Sequence, residues 1–231
     1  MWQKFMDDWF TAIAFAVLVV IALVIATWLT ACTPQPGPEL VTHGPVMAAQ
    51  AAEFDPAPPA AARYKATLIR EARLSWGPVD VAAVLGAQIQ QESGWNPAAR
   101  SPAGAGGLAQ FVPSTAADFG LAPQDVYNPD LALRAQAQYM AAIYQRMTPR
   151  FTDACQRMGA SLGGYNGGEG HVRDRQALAS APQDYFGSVR LVQPPRVSAA
   201  SQTENERYAP HIIKLQISYI AWGNPWCEGV V

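Results

Sequence analysis

The pattern of hydrophobic and polar positions begins with a long apolar segment. Residues 9–31 span 23 positions, carry no charged side chain and are almost entirely apolar. A bilayer core needs ~20 helical residues, so this segment is long enough to cross it. Trp9, Phe10 and Trp28 lie near its two ends, where aromatic rings favour the headgroup level. The pattern predicts a transmembrane anchor, with residues 1–8 as a cytoplasmic tail.

A lipoprotein signal is the alternative interpretation of the same segment. Leu29-Thr30-Ala31-Cys32 resembles a lipobox, whose cysteine is lipidated after cleavage. Secretory apolar regions usually run ~7–15 residues behind a positively charged start. The apolar run here is longer, and Lys4 is outweighed by Asp7 and Asp8. We therefore favour the anchor, and both alternatives hold the chain at a membrane.

Residues 32–62 form a segment rich in proline and alanine. Proline removes the N–H donor that a helix ladder needs, and the segment lacks the alternation of a strand. It is predicted to be an extended linker that separates the following domain from the membrane.

From residue 63 to residue 227, apolar side chains recur at helical spacing, which predicts an all-α domain. One helix has Tyr64, Leu68, Ile69 and Ala72 on one face, and a second begins at Pro78 and Asp80. The three others are expected from Asp130, from Asp153 through Leu162, and over residues 204–220. Loops rich in glycine and proline separate them, and a short β-hairpin in the glycine-rich loop at 96–107 is left open.

Charge, cysteine and histidine content narrow the function classes. The formal net charge is −2 and no basic stripe is present, so a nucleic-acid partner is not expected. Three cysteines are too few for a disulfide scaffold, namely Cys32, Cys155 and Cys227. The histidines lack the helical i, i+4 spacing of metal ligands: His43, His171 and His211. Neither a metal nor a cofactor is expected.

Glu92 is the first candidate for catalysis. It follows Ile89 by three residues and Leu85 by seven, and therefore lies on the apolar face of its predicted helix. A carboxyl group on such a face is partly desolvated, which raises its pKa as a general acid requires. Taken alone, the residue is equally consistent with an exposed glutamate at a frayed helix end.

Four short motifs occur in order from Glu92 onward. They are Gln91-Glu92-Ser93-Gly94-Trp95, Gly106-Gly107-Leu108-Ala109-Gln110, Gly164-Tyr165-Asn166 and, more loosely, Thr203-Glu204-Asn205-Glu206-Arg207-Tyr208. With them the chain resembles the soluble lytic transglycosylase family over about residues 64–220, and the resemblance implies a lysozyme-like fold. Ala109 and Gly164 depart from the family's usual Met and Ala, and both departures remove bulk from the expected groove.

The resemblance implies an enzyme that cleaves the β-1,4 bond between MurNAc and GlcNAc in peptidoglycan and leaves 1,6-anhydro ends. Glu92 would be its catalytic acid and base. The residues expected to contact Glu92 or the substrate are Ser93, Gln110, Tyr165, Asn166 and Tyr208.

A goose-type hydrolytic muramidase is the nearest alternative reaction. Hydrolysis usually needs a second carboxylate, and goose-type lysozymes carry auxiliary aspartates soon after the glutamate. No Asp or Glu occurs from Ser93 to Ala117, so this interval favours the lyase. A glycan-binding module, or a structural component of a phage particle or secretion machine, is the alternative outside enzymes. A silent module would be expected to lose Glu92.

Substrate logic places the domain in the periplasm on a single-pass inner-membrane anchor, and cell-wall remodelling, phage penetration and lysis are all suitable contexts. In that compartment we expect a disulfide between Cys155 and Cys227. The alternative is that Cys155 is a small buried residue and Cys227 is free. Cys32 would stay unpaired or become lipidated.

Overall fold

The computed structural model describes residues 56–227 and Gly229. The predicted tail and anchor, and residues 32–55 of the linker, therefore lie outside the described residues. Within the described part, no helix is long and apolar enough to cross a membrane.

The described chain is helical. Its α-helices are α1 (Pro59–Ala62), α2 (Lys65–Trp76), α3 (Ala82–Ser93), α4 (Pro113–Asp118), α5 (Pro129–Met147), α6 (Ala154–Gly167), α7 (Glu169–Leu178) and α8 (Ala199–Leu215). Short 3-10 turns cover Asp125–Tyr127, Val189–Leu191 and Gln216–Tyr219. Among these residues the all-α prediction is confirmed.

The five predicted helices are present with shifted bounds, and three other short helices were not predicted. α8 begins at Ala199 because the Ser198 side chain accepts a hydrogen bond from the Ser201 backbone N–H, and its last predicted residues form a 3-10 turn instead. α4 starts with Pro113 at its first position, where a missing N–H costs nothing. α7 was overlooked because its sequence is mostly polar and lacks a clear apolar stripe.

One detail of the predictions was wrong, and one had been left open. Pro59–Ala62, at the end of the predicted extended linker, forms one helical turn that proline tolerates at its start. In the glycine-rich loop, where a short β-hairpin was left open, the described residues form isolated antiparallel bridges from Gly106 to Arg100 and to Phe111 but no β-strand. Four residues lie between Gly106 and Phe111, whose backbones exchange two hydrogen bonds, but the pairing does not continue beyond this bridge to form strands.

α3 is the central helix of the described domain. Every residue from Ala82 to Ile89 is buried. Gly86 lets the final 3-10 turn approach closely, since a Cβ at this position would lie 2.7 Å from the Tyr219 ring. The helix ends at Gly94, whose φ of 58° is left-handed, and this fixes where the last turn stops. α3 therefore carries its C-terminal side chains from the core to the surface.

The residue after that glycine anchors the chain to the core. Trp95 is 2% exposed and its ring stacks on Tyr64 at a centroid distance of 5.7 Å. Its indole N–H donates to the Tyr219 hydroxyl at 2.6 Å. Because Trp95 is held on two sides, the last turn of α3 has a fixed direction.

A disulfide links Cys155 in the first turn of α6 to Cys227 in the tail that follows the last 3-10 turn, with Cα atoms 5.0 Å apart. The tail is also held by Trp226, whose indole N–H donates to the Asp80 carbonyl at 2.6 Å.

We expect the disulfide between Cys155 and Cys227 to stabilise the fold by ~4 kcal/mol through loop closure. Alkylation of oxidised, denatured protein should leave both thiols unmodified, and labelling of both would contradict the pairing.

Candidate active site

An open cleft of about 660 Å³ lies beside the end of α3. Its walls come from α3, the loop around Phe111, α5, α6 and α8, which are distant in sequence. The residues that line it include Glu92, Gln110, Tyr139, Tyr165, Asn166, Glu204 and Tyr208. Four of the five predicted substrate contacts thus meet at one cleft with Glu92.

Glu92 lies in the last turn of α3 and is half-buried. Burial raises the pKa of its carboxyl group to about 7, since desolvation disfavours the charged form. The Tyr208 hydroxyl donates to the carboxylate, which lowers the pKa, and the nearby negative charge of Glu204 raises it. Burial dominates, so a substantial fraction of Glu92 is protonated at neutral pH.

A directed chain of hydrogen bonds orients the group that contacts Glu92. The Gln136 amide donates to Gln88 Oε1 at 2.7 Å, and Gln88 Nε2 donates to the Tyr208 hydroxyl at 3.3 Å. Tyr208 in turn donates its own proton to Glu92 Oε1. Because Gln88 supplies the hydrogen bond that the Tyr208 oxygen accepts, the Tyr208 proton is directed at the carboxylate.

Tyr165 forms part of an aromatic wall and holds the glycine-rich loop. Its hydroxyl donates to the Ala109 carbonyl at 2.7 Å. Its ring lies 5.1 Å from the Tyr139 ring and 6.1 Å from the Phe111 ring, measured between centroids. Burial raises the pKa of Tyr165 well above its usual value. Tyr165 therefore stays protonated and acts as a fixed donor.

Gln110 and Ser93 are held in different ways. Gln110 lines the cleft in a left-handed backbone conformation, with φ 49°, and its amide donates to the Gly107 carbonyl at 2.9 Å. The Ser93 hydroxyl donates to the Ile89 carbonyl one turn back along α3, at 3.3 Å, and Ser93 is not among the cleft residues. Of the predicted contacts, the structure leaves only Ser93 outside this group.

A second carboxylate, Glu204, lines the cleft and was not predicted from the sequence. Asn166 Nδ2 donates to Glu204 Oε1 at 3.0 Å. An auxiliary acid was expected only in the interval from Ser93 to Ala117, whereas Glu204 lies far along the chain in α8. Its position four residues before Tyr208 places both on one face of that helix, and this spacing was the available signal.

Replacing Glu204 by Gln should move the alkaline limb of the pH–rate profile to lower pH. The Glu204 charge raises the pKa of Glu92, so its removal lets Glu92 lose its proton at a lower pH. The profile of kcat/KM measures this shift directly. Glu206→Gln is the matched control, because Glu206 lies on the same helix, does not line the cleft, and should leave the limb in place. A limb that moves upward in Glu204→Gln would contradict the assignment.

The described residues offer acid–base chemistry rather than an obvious ion site. Between residues 56 and 227, no three His, Cys, Asp or Glu side chains cluster in a way that could hold a metal ion. The cleft combines a carboxyl group of raised pKa, a second carboxylate, an amide and aromatic walls. These groups can donate and accept a proton beside the polar ring of a bound molecule that packs on the aromatic wall.

Comparison with known proteins gives a family match for the part of the chain that contains Glu92. The family model described as "Transglycosylase SLT domain" matches residues 76–185. The membrane-bound lytic murein transglycosylase F of Shewanella loihica is 38% identical over 97 residues, which are 42% of this chain and 20% of the relative. The membrane-bound lytic murein transglycosylase F 2 of Alkalilimnicola ehrlichii is 31% identical over 132 residues, which are 56% of this chain and 27% of the relative.

A solved structure is similar to this chain in its fold. The 70 kDa soluble lytic transglycosylase of Escherichia coli is similar with a TM-score of 0.50 and 21% identity, over 70% of this chain and 25% of that chain. This likeness concerns the fold alone, and it agrees with the predicted lysozyme-like fold. The chain corresponds to about a fifth to a quarter of the length of the curated relatives above.

Proposed function

We propose that this chain, whose residues 76–185 form a domain of the soluble lytic transglycosylase family, cleaves the glycan strands of peptidoglycan. The observation that carries the proposal is Glu92, a half-buried carboxyl group in an open cleft, with its pKa raised to about 7. A group with this pKa is protonated often enough to act as an acid at neutral pH and ionised often enough to act as a base.

The proposed reaction uses that group twice. Protonated Glu92 donates its proton to the glycosidic oxygen between MurNAc and GlcNAc, and the bond from this oxygen to the MurNAc C1 breaks. The resulting carboxylate then takes the proton of the C6 hydroxyl of the same MurNAc, whose oxygen forms a bond to C1. The product is a 1,6-anhydro end, no water is consumed, and Glu92 returns to its protonated state.

Neighbouring side chains support both steps. The Tyr208 hydroxyl holds one carboxylate oxygen of Glu92 and stabilises the charge that forms after the first transfer. Tyr139, Tyr165 and Phe111 provide apolar surface on which a sugar ring can pack. Asn166 and Gln110 offer amide groups for the polar substituents of the glycan. Ser93 would contribute by holding the last turn of α3.

Hydrolysis by a goose-type route is the second candidate, and Glu204 is the observation in its favour. A second carboxylate could activate water. Glu204 Oε1 accepts from Asn166, however, and its charge raises the pKa of Glu92. Together with the acid-free interval from Ser93 to Ala117, this arrangement favours the lyase.

Digestion of purified sacculi tests the activity. The full chain, solubilised in detergent, should release soluble glycan fragments, and the Glu206→Gln variant should release them at the same rate. Failure of the folded wild type to release any fragment, with the domain shown intact by thermal melting, would overturn the proposed function.

We further propose that residues 9–31 anchor the domain to the inner membrane with its cleft in the periplasm. Support comes from the uncharged apolar length of this segment and from relatives named as membrane-bound. Protease added to spheroplasts should remove the domain, whereas protection from added protease would contradict this topology. Retention of Met1 in the mature protein would distinguish an anchor from a signal cleaved before Cys32.

A further inference from the structure

Arg175 is a buried cation that forms no salt bridge among the described residues, and the charge of Glu206 acts on it only at longer range. It lies in α7 and is 1% exposed. Its guanidinium donates to the side-chain oxygens of Asn205 and Gln202, the latter at 2.8 Å. A buried charge is costly unless its environment compensates it. Two neutral amides are weak compensation by themselves, so the rest of the network matters.

The network continues from Arg175 to the cleft through two asparagines. Asn205 Nδ2 donates to Asn166 Oδ1 at 2.9 Å, and also to the Gly163 carbonyl at 2.9 Å. Asn166 Nδ2 then donates to Glu204 Oε1 at 3.0 Å. The sequence of groups is guanidinium, amide, amide and carboxylate. The amides of Asn205 and Asn166 thus connect a buried positive charge to a negative charge in the cleft.

The donor-to-acceptor direction of this hydrogen-bond network is fixed by the charged residues at its two ends, Arg175 and Glu204. A guanidinium can only donate, so the oxygen of Asn205 must face it and the NH2 of Asn205 must face Asn166. Asn166 must then turn its oxygen towards Asn205 and its NH2 towards the cleft, where the ionised carboxylate of Glu204 can only accept. Each amide can otherwise flip, and the two charged ends select one orientation.

The backbone is shaped for this contact. A Cβ at residue 167 would lie 2.6 Å from Asn205 Nδ2, so Gly167 allows Asn205 to reach its neighbour in α6. The hydrogen-bond network connects three helices, from Arg175 in α7 through Asn205 in α8 to Asn166 in α6. Of the four residues in this network, Asn166 and Glu204 line the cleft.

We propose that Arg175 and Asn205 are positioning residues, which act through Asn166 to present an N–H donor to the substrate and to hold Glu204 beside Glu92. This inference rests on the proposed function. One N–H of Asn166 binds Glu204, and the second is directed at an acceptor oxygen of the glycan, such as an acetamido carbonyl. An amide in the flipped orientation would present an oxygen there and would repel that acceptor.

Asn205→Asp tests the proposal without removing the buried cation. The aspartate keeps the shape and still accepts from Arg175, but it can donate neither to Asn166 nor to the Gly163 carbonyl. The new charge pair with Arg175 stabilises the variant and the lost bond to Gly163 destabilises it, so we expect a melting temperature close to that of the wild type. We expect a kcat about tenfold lower and a KM changed by less than about threefold. Gln202→Glu is the matched control. It gives Arg175 the same kind of partner and likewise loses one donation to a backbone carbonyl, that of Arg190, but it does not lead to Asn166 and should retain wild-type kcat.

A double-mutant cycle separates positioning from a general electrostatic effect. If Asn205 acts through Asn166, Asn205→Asp should cause little further loss of kcat in an Asn166→Ala background. Additive losses, or an equal loss of kcat in Gln202→Glu, would overturn the proposal. Wild-type kcat in Asn205→Asp would do so as well.

A spectroscopic arm keeps this test distinct from the test of the proposed function. The side-chain NH2 resonances of Asn166, assigned by their absence in Asn166→Ala, should shift in Asn205→Asp and remain in place in Gln202→Glu. This result is measurable even if no glycan is cleaved. Unshifted resonances in Asn205→Asp would show that Asn166 is not oriented through Asn205.

Discussion

Replacing Glu92 by Gln is expected to lower the rate of glycan cleavage by about a thousandfold or more, which is the range for loss of a general acid. Glutamine keeps the shape of the side chain and can still bind the Tyr208 hydroxyl, but it carries no transferable proton. Release of soluble fragments from sacculi measures the loss. Glu206→Gln removes a carboxylate of the same helix as Glu204 outside the cleft, and it should remain fully active.

The melting temperature of Glu92→Gln should not fall with its activity. The pKa of Glu92 is raised in the folded state from 4.5 to about 7, so ionisation of this group opposes folding as the pH rises through that window. Removing the group should therefore leave the melting temperature at pH 8 no lower than that of the wild type. Retained activity in a folded Glu92→Gln variant would remove Glu92 from the reaction.

Gly107→Ala is expected to be the most destabilising single methyl addition in the loop that carries Gln110. The φ of Gly107 is 75°, and a Cβ there would lie 1.7 Å from the Val126 carbonyl oxygen. The nearest atoms all belong to the backbone of Val126 and Tyr127, so no side chain can move away to relieve the clash. We expect a loss of about 3 kcal/mol or more in the free energy of unfolding, measured by denaturant titration.

Gly120→Ala is a matched control for backbone conformation. The φ of Gly120 is 69°, but nothing lies within 4 Å of the position of its Cβ. Alanine should therefore cost only the left-handed strain of about 1–2 kcal/mol. The difference between the variants isolates the clash with Val126. Equal losses in both would show that Gly107 is not held against the 125–127 turn.

Sequence periodicity was sufficient to locate the helices that carry the site. Glu92 could be placed because the apolar spacing of α3 continues to its last turn, and Tyr208 because it belongs to an ordered series of motifs. Periodicity could not find α7, whose buried contacts depend on Val172 and Arg175 in a mostly polar sequence. A buried arginine has no sequence signature, since its burial depends on partners from another helix.

The environment of Glu92 also depended on distant parts of the chain. The sequence close to Glu92 gives no sign of Glu204, because α8 returns to the cleft more than a hundred residues later. The role of Ser93 was similarly ambiguous, since its hydroxyl could reach either the cleft or the helix backbone, and the structure places it on the Ile89 carbonyl. Tertiary packing decided both cases.

The mass of the new glycan ends tests the central claim most directly. Wild-type protein should be incubated with purified sacculi, and the released fragments analysed by mass spectrometry without chemical reduction. The account predicts 1,6-anhydroMurNAc ends, formed when Glu92 takes the C6 hydroxyl proton and no water is added. Reducing MurNAc ends, heavier by one water, would show hydrolysis and would contradict the account.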